Sequence, residues 1–114
     1  GIGFETALEG PVDSLDEDGL TTVYRICQAA VREAIHLEVV RDLRLRLVVD
    51  EAGAELRCVR LDLDLEYAPF VEEIPEPQAL PAIRDRVLAV HGEYGLRTLP
   101  NGQRHSILFP AHGD

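Results

Sequence analysis

Between Thr21 and Glu38, Val23, Ile26, Cys27, Ala30, Ala34 and Leu37 fall at offsets of three, four, seven and eleven residues. That spacing puts them on one stripe of a helix, with Arg25, Gln28, Arg32 and His36 around the rest. Ser14 and Glu17 have the spacing of a capping box, which predicts a helix start near Leu15. The period then changes to two. Leu43, Leu45, Leu47 and Val49 face one way and Arg44 and Arg46 the other, which predicts a strand. Asp50-Glu51-Ala52-Gly53 is turn chemistry. Glu55 to Tyr67 alternates again, but Leu56 and Cys58 have one parity and Val59, Leu61, Leu63 and Leu65 the other, which predicts a bulge near Cys58-Val59. The two strands make an antiparallel hairpin.

Upstream, Ile2, Phe4 and Leu8 alternate in a strand half-buried on one face, closed by Gly10-Pro11. Downstream, Ala68 to Gln78 is a proline-rich acidic loop. Leu80, Ile83, Val87 and Val90 predict a second helix, with Pro81 in its first turn and Gly92 as its C-terminal cap. Tyr94 to Leu99 and Gln103 to Phe109 are strands joined at Pro100-Asn101-Gly102, an Asn-Gly hairpin signal. The order strand, helix, hairpin, helix, hairpin predicts an α+β fold: a two-layer α/β sandwich, a mixed five-stranded sheet with helices on one face.

At 114 residues the chain reads as one domain, 1–114. It opens in a strand without an initiator Met, and so reads as excised from something longer. Aromatic residues are only 5% and Trp and Met are absent, so the core is expected to be Leu, Val, Ile and Ala. A net charge of −10, with every basic residue an arginine and none clustered, argues against nucleic acid. No apolar run approaches the ~18 residues of a membrane span. Cys27 and Cys58 read as buried free thiols, which fits a cytoplasmic location. His36, His91, His105 and His112 show no ligand spacing, so surface and capping roles are expected and no metal site. Ser106 and Cys27 have no base partner that would support nucleophilic catalysis.

Four local matches, covering nearly the whole chain, resemble the ATP-binding domain of sensor histidine kinases of the nitrate-sensor and lipid-fluidity-sensor branch (the GHKL, or Bergerat, fold). Val23-Tyr24-Arg25-Ile26-Cys27-Gln28-Ala29-Ala30 resembles the asparagine-box helix of that family. Leu80-Pro81-Ala82-Ile83-Arg84-Asp85-Arg86-Val87 resembles its second glycine box, and His91-Gly92-Glu93 the glycine pair that follows. Thr98 to Gly102, continuing through Ile107 to Pro110, resembles its closing hairpin.

The resemblance implies a nucleotide pocket at positions where this chain departs from the family. The catalytic glutamate position is Ala29 and the magnesium-holding asparagine position is Glu33. The first glycine box corresponds to Asp62-Leu63-Asp64-Leu65-Glu66. Asp62 matches the adenine-binding aspartate, while Asp64 and Glu66 replace glycines that let backbone approach the nucleotide. The second glycine box has Ala79 and Ala82 at its glycines, with Pro81 between. The expected reading is a degenerate domain with no catalytic residues, no metal and no cofactor. It would act as a scaffold in two-component signalling, contacting a response regulator, a kinase or a neighbouring domain of its own chain. One alternative is an active, divergent kinase domain using ATP and Mg, with Glu33 and Asp62 in the magnesium and adenine roles. Another is a pocket repurposed for a cation or amine at Asp62, Asp64 and Glu66.

Overall fold

The computed structural model describes residues 3–36, 39–69 and 81–113, the side chains of Glu33, Ala34 and Ala82 excepted. The elements run β1 (Gly3–Glu9), a 3-10 turn (Val12–Ser14), α1 (Glu17–His36), β2 (Val40–Glu51), β3 (Leu56–Tyr67), α2 (Pro81–Ala89), β4 (Glu93–Leu99) and β5 (Gly102–His112). The strands form one mixed sheet in the order β1-β2-β3-β5-β4. β1 pairs parallel to β2, and the other neighbours are antiparallel. The helices cover one face, here called inner: α1 packs on β2 and β5, and α2 on β4, β5 and α1.

Strict alternation fixes which residues enter the core. Leu43, Leu45, Leu47 and Val49 of β2 and Val59, Leu61, Leu63, Leu65 and Tyr67 of β3 are buried on the inner face. Val23, Ile26 and Ala30 of α1 and Ile83 and Val87 of α2 close over them. The predicted bulge at Cys58-Val59 is absent, since β3 keeps one register with β2 from Arg57 to Glu66. The apparent phase slip came from Arg57, which turns inward while Leu56 is exposed and Cys58 lies on the outer face. Arg57 is buried because its guanidinium has polar partners: Nε donates to Ser14 Oγ (2.9 Å) and Nη1 to the Leu56 carbonyl (3.2 Å). The β2–β3 register shifts between Val40 and Asp42.

Ser14 is therefore not the helix cap. Its hydroxyl donates to the Pro11 carbonyl, and α1 is capped by Asp16, whose Oδ1 accepts from the Gly19 amide at 2.8 Å. At the end of α2 the cap also shifts by one residue. The Gly92 amide bonds to Val87 O (2.8 Å) and the His91 amide to Leu88 O (3.1 Å), a Schellman motif. His91 takes the left-handed position, φ 59°. Gly92 is small for another reason: a Cβ there would sit 2.7 Å from Leu108 O and 2.9 Å from Phe109 Cβ. Changing His91 to Gly is expected to raise stability by roughly 1 kcal/mol, the cost of a left-handed non-glycine residue. Thermal denaturation of the two proteins checks this.

The β4–β5 turn consists of Pro100 and Asn101, with Leu99 opposite Gly102. Neither turn residue has positive φ. Gly102 instead opens β5, where a Cβ would lie 1.9 Å from Leu65 O. Asn101 ties the turn to the end of β3, donating through Nδ2 to Tyr67 O at 3.1 Å. β1 differs from expectation in burial. All seven of its residues are exposed, because the helical layer ends before this edge.

Candidate functional site

Of the positions the sequence singled out, the structure brings three together. Asp62, Asp64 and Glu66 project from β3 onto the outer face of the sheet, away from both helices, each half-buried. Their parity follows from Leu61, Leu63 and Leu65, all completely buried on the inner face. The carboxylates lie among arginines from the neighbouring strands. Arg104 of β5 grips Asp64 with two bonds, Nε to Oδ1 at 2.7 Å and Nη2 to Oδ2 at 2.9 Å. This contact holds the Arg104 guanidinium above its ordinary pKa. Arg44 reaches Glu66 at 3.6 Å on one side and Glu5 at 3.3 Å on the other. Arg46, opposite Asp62 in the register, donates to Glu9 at 2.8 Å. The row Glu5, Arg44, Asp64, Arg104 thus alternates in sign across four strands, which stabilises cross-strand neighbours.

Ala29 lies on α1, on the opposite side of the sheet, half-buried and packed against the core. Glu33 is also in α1 and Ala82 in α2, but their side chains lie outside the described residues, as does Ala79 altogether. Depressions of about 520 and 470 Å³ open on the outer face among Arg44, Asp62, Asp64 and Arg104, and among Arg60, Arg97 and Ser106. A third, of about 480 Å³, runs along α1 beside Tyr24, Val31 and Ile35. Among the described residues, no group of three or more His, Cys, Asp or Glu side chains is placed to hold a metal ion.

Replacing Asp64 by Asn is expected to cost about 1 kcal/mol, the scale of a bidentate but partly solvated ion pair. The fold should persist, because the backbone ladder carries β3. Chemical denaturation checks the magnitude.

Sequence reasoning missed the polar group at the heart of the inner layer. His105 is completely buried, not a surface histidine. Its Nδ1 meets the Tyr94 hydroxyl, and its Nε2 lies 3.0 Å from Gln103 Nε2. Gln103 Oε1 in turn accepts from Tyr67 at 3.3 Å. With that amide orientation Gln103 donates to Nε2, so Nδ1 carries the imidazole proton towards Tyr94. Burial pushes the imidazole down to about 4, outweighing the charge of Asp64 on the other face. His105 is thus a neutral structural element at physiological pH. The signal was present in the sequence: Gln103 and His105 share the parity of the buried Ile107, Phe109 and Ala111. Cys27 is also inert, since burial raises its thiol to about 11 and leaves no thiolate at neutral pH.

The same architecture is found in solved histidine kinases. A blue-light activated histidine kinase of Erythrobacter litoralis superposes with a TM-score of 0.63 over 97% of this chain, at 14% identity. The mycobacterial sensor histidine kinase MprB gives 0.56 over 99% at 13% identity, and the Acinetobacter baumannii histidine kinase AdeS 0.53 over 95% at 10%. The fold is that of a histidine kinase ATPase domain. The chain spans 36% of the Erythrobacter protein, 84% of MprB and 53% of AdeS. No protein-family model matches it, and no curated protein does. No helix among the described residues is long and apolar enough to cross a membrane.

Proposed function

We propose that this chain is a degenerate histidine kinase-type ATPase domain that has kept the sandwich and lost nucleotide binding. It would serve as a cytoplasmic protein-contact scaffold in two-component signalling. The observation that carries this reading is the placement of Asp62, Asp64 and Glu66. Where the resembling family has glycines, β3 continues as an ordinary strand and directs carboxylates to the outer face, held by Arg104 and Arg44. On the helix-bearing face the same stretch presents the fully buried side chains of Leu61, Leu63 and Leu65, and among the described residues it has no glycine that would let a base approach the backbone. Neither Ala29 nor the carboxylate at position 33 restores the lost chemistry, because a further negative charge repels a triphosphate. The branch of nitrate-sensor and lipid-fluidity-sensor kinases remains the best match by motif, with a response regulator, a kinase or a neighbouring domain as the partner class.

The likeness to kinase catalytic domains favours one rival, an active divergent domain that uses ATP and Mg. A differential scanning measurement separates the two. Millimolar Mg-ADP or Mg-ATP is expected to leave the melting temperature unchanged. A rise of several degrees would support the rival, since ligand at ~100 times its Kd adds about 2.7 kcal/mol.

A further inference from the structure

We propose that the β1 edge is a self-association surface, on which a second copy of this chain pairs antiparallel about a two-fold axis through Thr6. β1 ends the sheet, and among the described residues nothing pairs with its outer edge. Such edges are ordinarily blunted by lysine, proline, an inward-pointing charge or a bulge. Gly3–Glu9 has none of these on its inner face. The register pairs Phe4, Thr6 and Leu8 with Leu43, Leu45 and Leu47, which places them on the helix-bearing face. Phe4 is nevertheless 55% and Leu8 65% exposed.

Among the two-fold registers that pair at least five residues of the strand, its sequence favours one for a second copy of the same chain. A two-fold perpendicular to the sheet keeps the inner faces together, so the axis must pass through a residue. Centred on Glu5, two glutamates would stand opposite each other; centred on Ala7, Glu5 would face Glu9 of the second copy. Like charges directly opposed are destabilising. Centred on Thr6, Phe4 faces Leu8, Thr6 faces Thr6, Glu5 faces Ala7 and Glu9 faces Gly3. No like charges stand directly opposite each other, and four apolar side chains join into one strip on the inner face. Glu5 and Glu9 are already neutralised by Arg44 and Arg46 of their own chain. The other edge, β4, is weaker in this respect: Tyr94 and Leu96 are half-covered and Gly95 lies between them.

A seven-residue edge buries far less than the ~1,600 Å² of a standard interface, so the expected dissociation constant is on the order of tens of micromolar. Sedimentation velocity in about 0.15 M salt, where the net charge is screened beyond ~8 Å, reads it directly. The wild-type chain is expected to pass from monomer to dimer with rising concentration. Thr6→Lys sets two ammonium groups face to face at the axis and should weaken the dimer at least tenfold. Thr6 is exposed in the monomer, so an unchanged melting temperature will show that the variant folds. Arg97→Glu on β4 and Tyr24→Asp on the outer flank of α1 should leave association unchanged. A wild-type chain that stays monomeric at several hundred micromolar overturns the proposal. So does a dimer that survives Thr6→Lys, or one that Arg97→Glu or Tyr24→Asp abolishes.

Discussion

Lowering the pH from 7 to 4 is expected to remove about 3 kcal/mol of folding stability through His105 alone. The unfolded chain has an ordinary imidazole at 6.5, while burial in the folded chain lowers it to about 4. Between those values the unfolded state binds a proton that the native state refuses, so stability rises with pH across the window. It is complete above 6.5 and lost as the pH falls towards 4. The cause is geometric. A charged ring would need a second donor role at Nε2, where Gln103 already donates, within a layer closed by Leu63 and Ile107. The control is His105→Gln, which is expected to be less stable at neutral pH and to lose less stability across the window than the wild type. Urea titrations at pH 7 and pH 4.5 measure both slopes. Equal slopes for the two proteins would remove His105 as the cause.

Leu63→Ala carries the second large effect, an expected loss of about 3 kcal/mol. Leu63 lies at the centre of β3, between Leu45 and His105 in the register, and is completely buried. Truncation leaves a void bounded by strands on both sides and by the helical layer above, so the surroundings cannot collapse into it. Against a total of roughly 5–15 kcal/mol for a domain of ordinary stability, that is a large share. The same truncation at Leu56, which is 43% exposed, should cost only a few tenths of a kcal/mol. Paired denaturation curves test the contrast.

Period-two alternation made the order of elements, the β2–β3 hairpin and the layer arrangement legible, because a strand buried on one face admits no other register. The helix-bearing face was legible for the same reason. What escaped was chemistry that short spacing rules do not encode. Ser14 had the spacing of a cap, but Arg57, forty-three residues away, claimed its hydroxyl and left Asp16 to cap α1. The β4–β5 hairpin forms at Pro100-Asn101-Gly102 as expected, but Gly102 is required by the close approach of Leu65 O and not by a positive φ. The candidate carboxylates were identified as residues but not as a group facing arginines, since Arg44 and Arg104 belong to other strands. The burial of His105 follows from its parity with Ile107 and Phe109 and not from its residue type, which alone suggests the surface. Motif likeness located the fold correctly even at positions where this chain differs from the family's motif residues.

β3 runs as a regular strand through the stretch that corresponds to the first glycine box, and on the proposed reading this leaves no seat for a nucleotide. Isothermal titration calorimetry of the chain with Mg-ATP and Mg-ADP tests it most directly. No saturable heat is expected with either nucleotide at millimolar concentration. Saturable binding with a micromolar dissociation constant, weakened by Asp62→Asn, would contradict the account and establish a working nucleotide site.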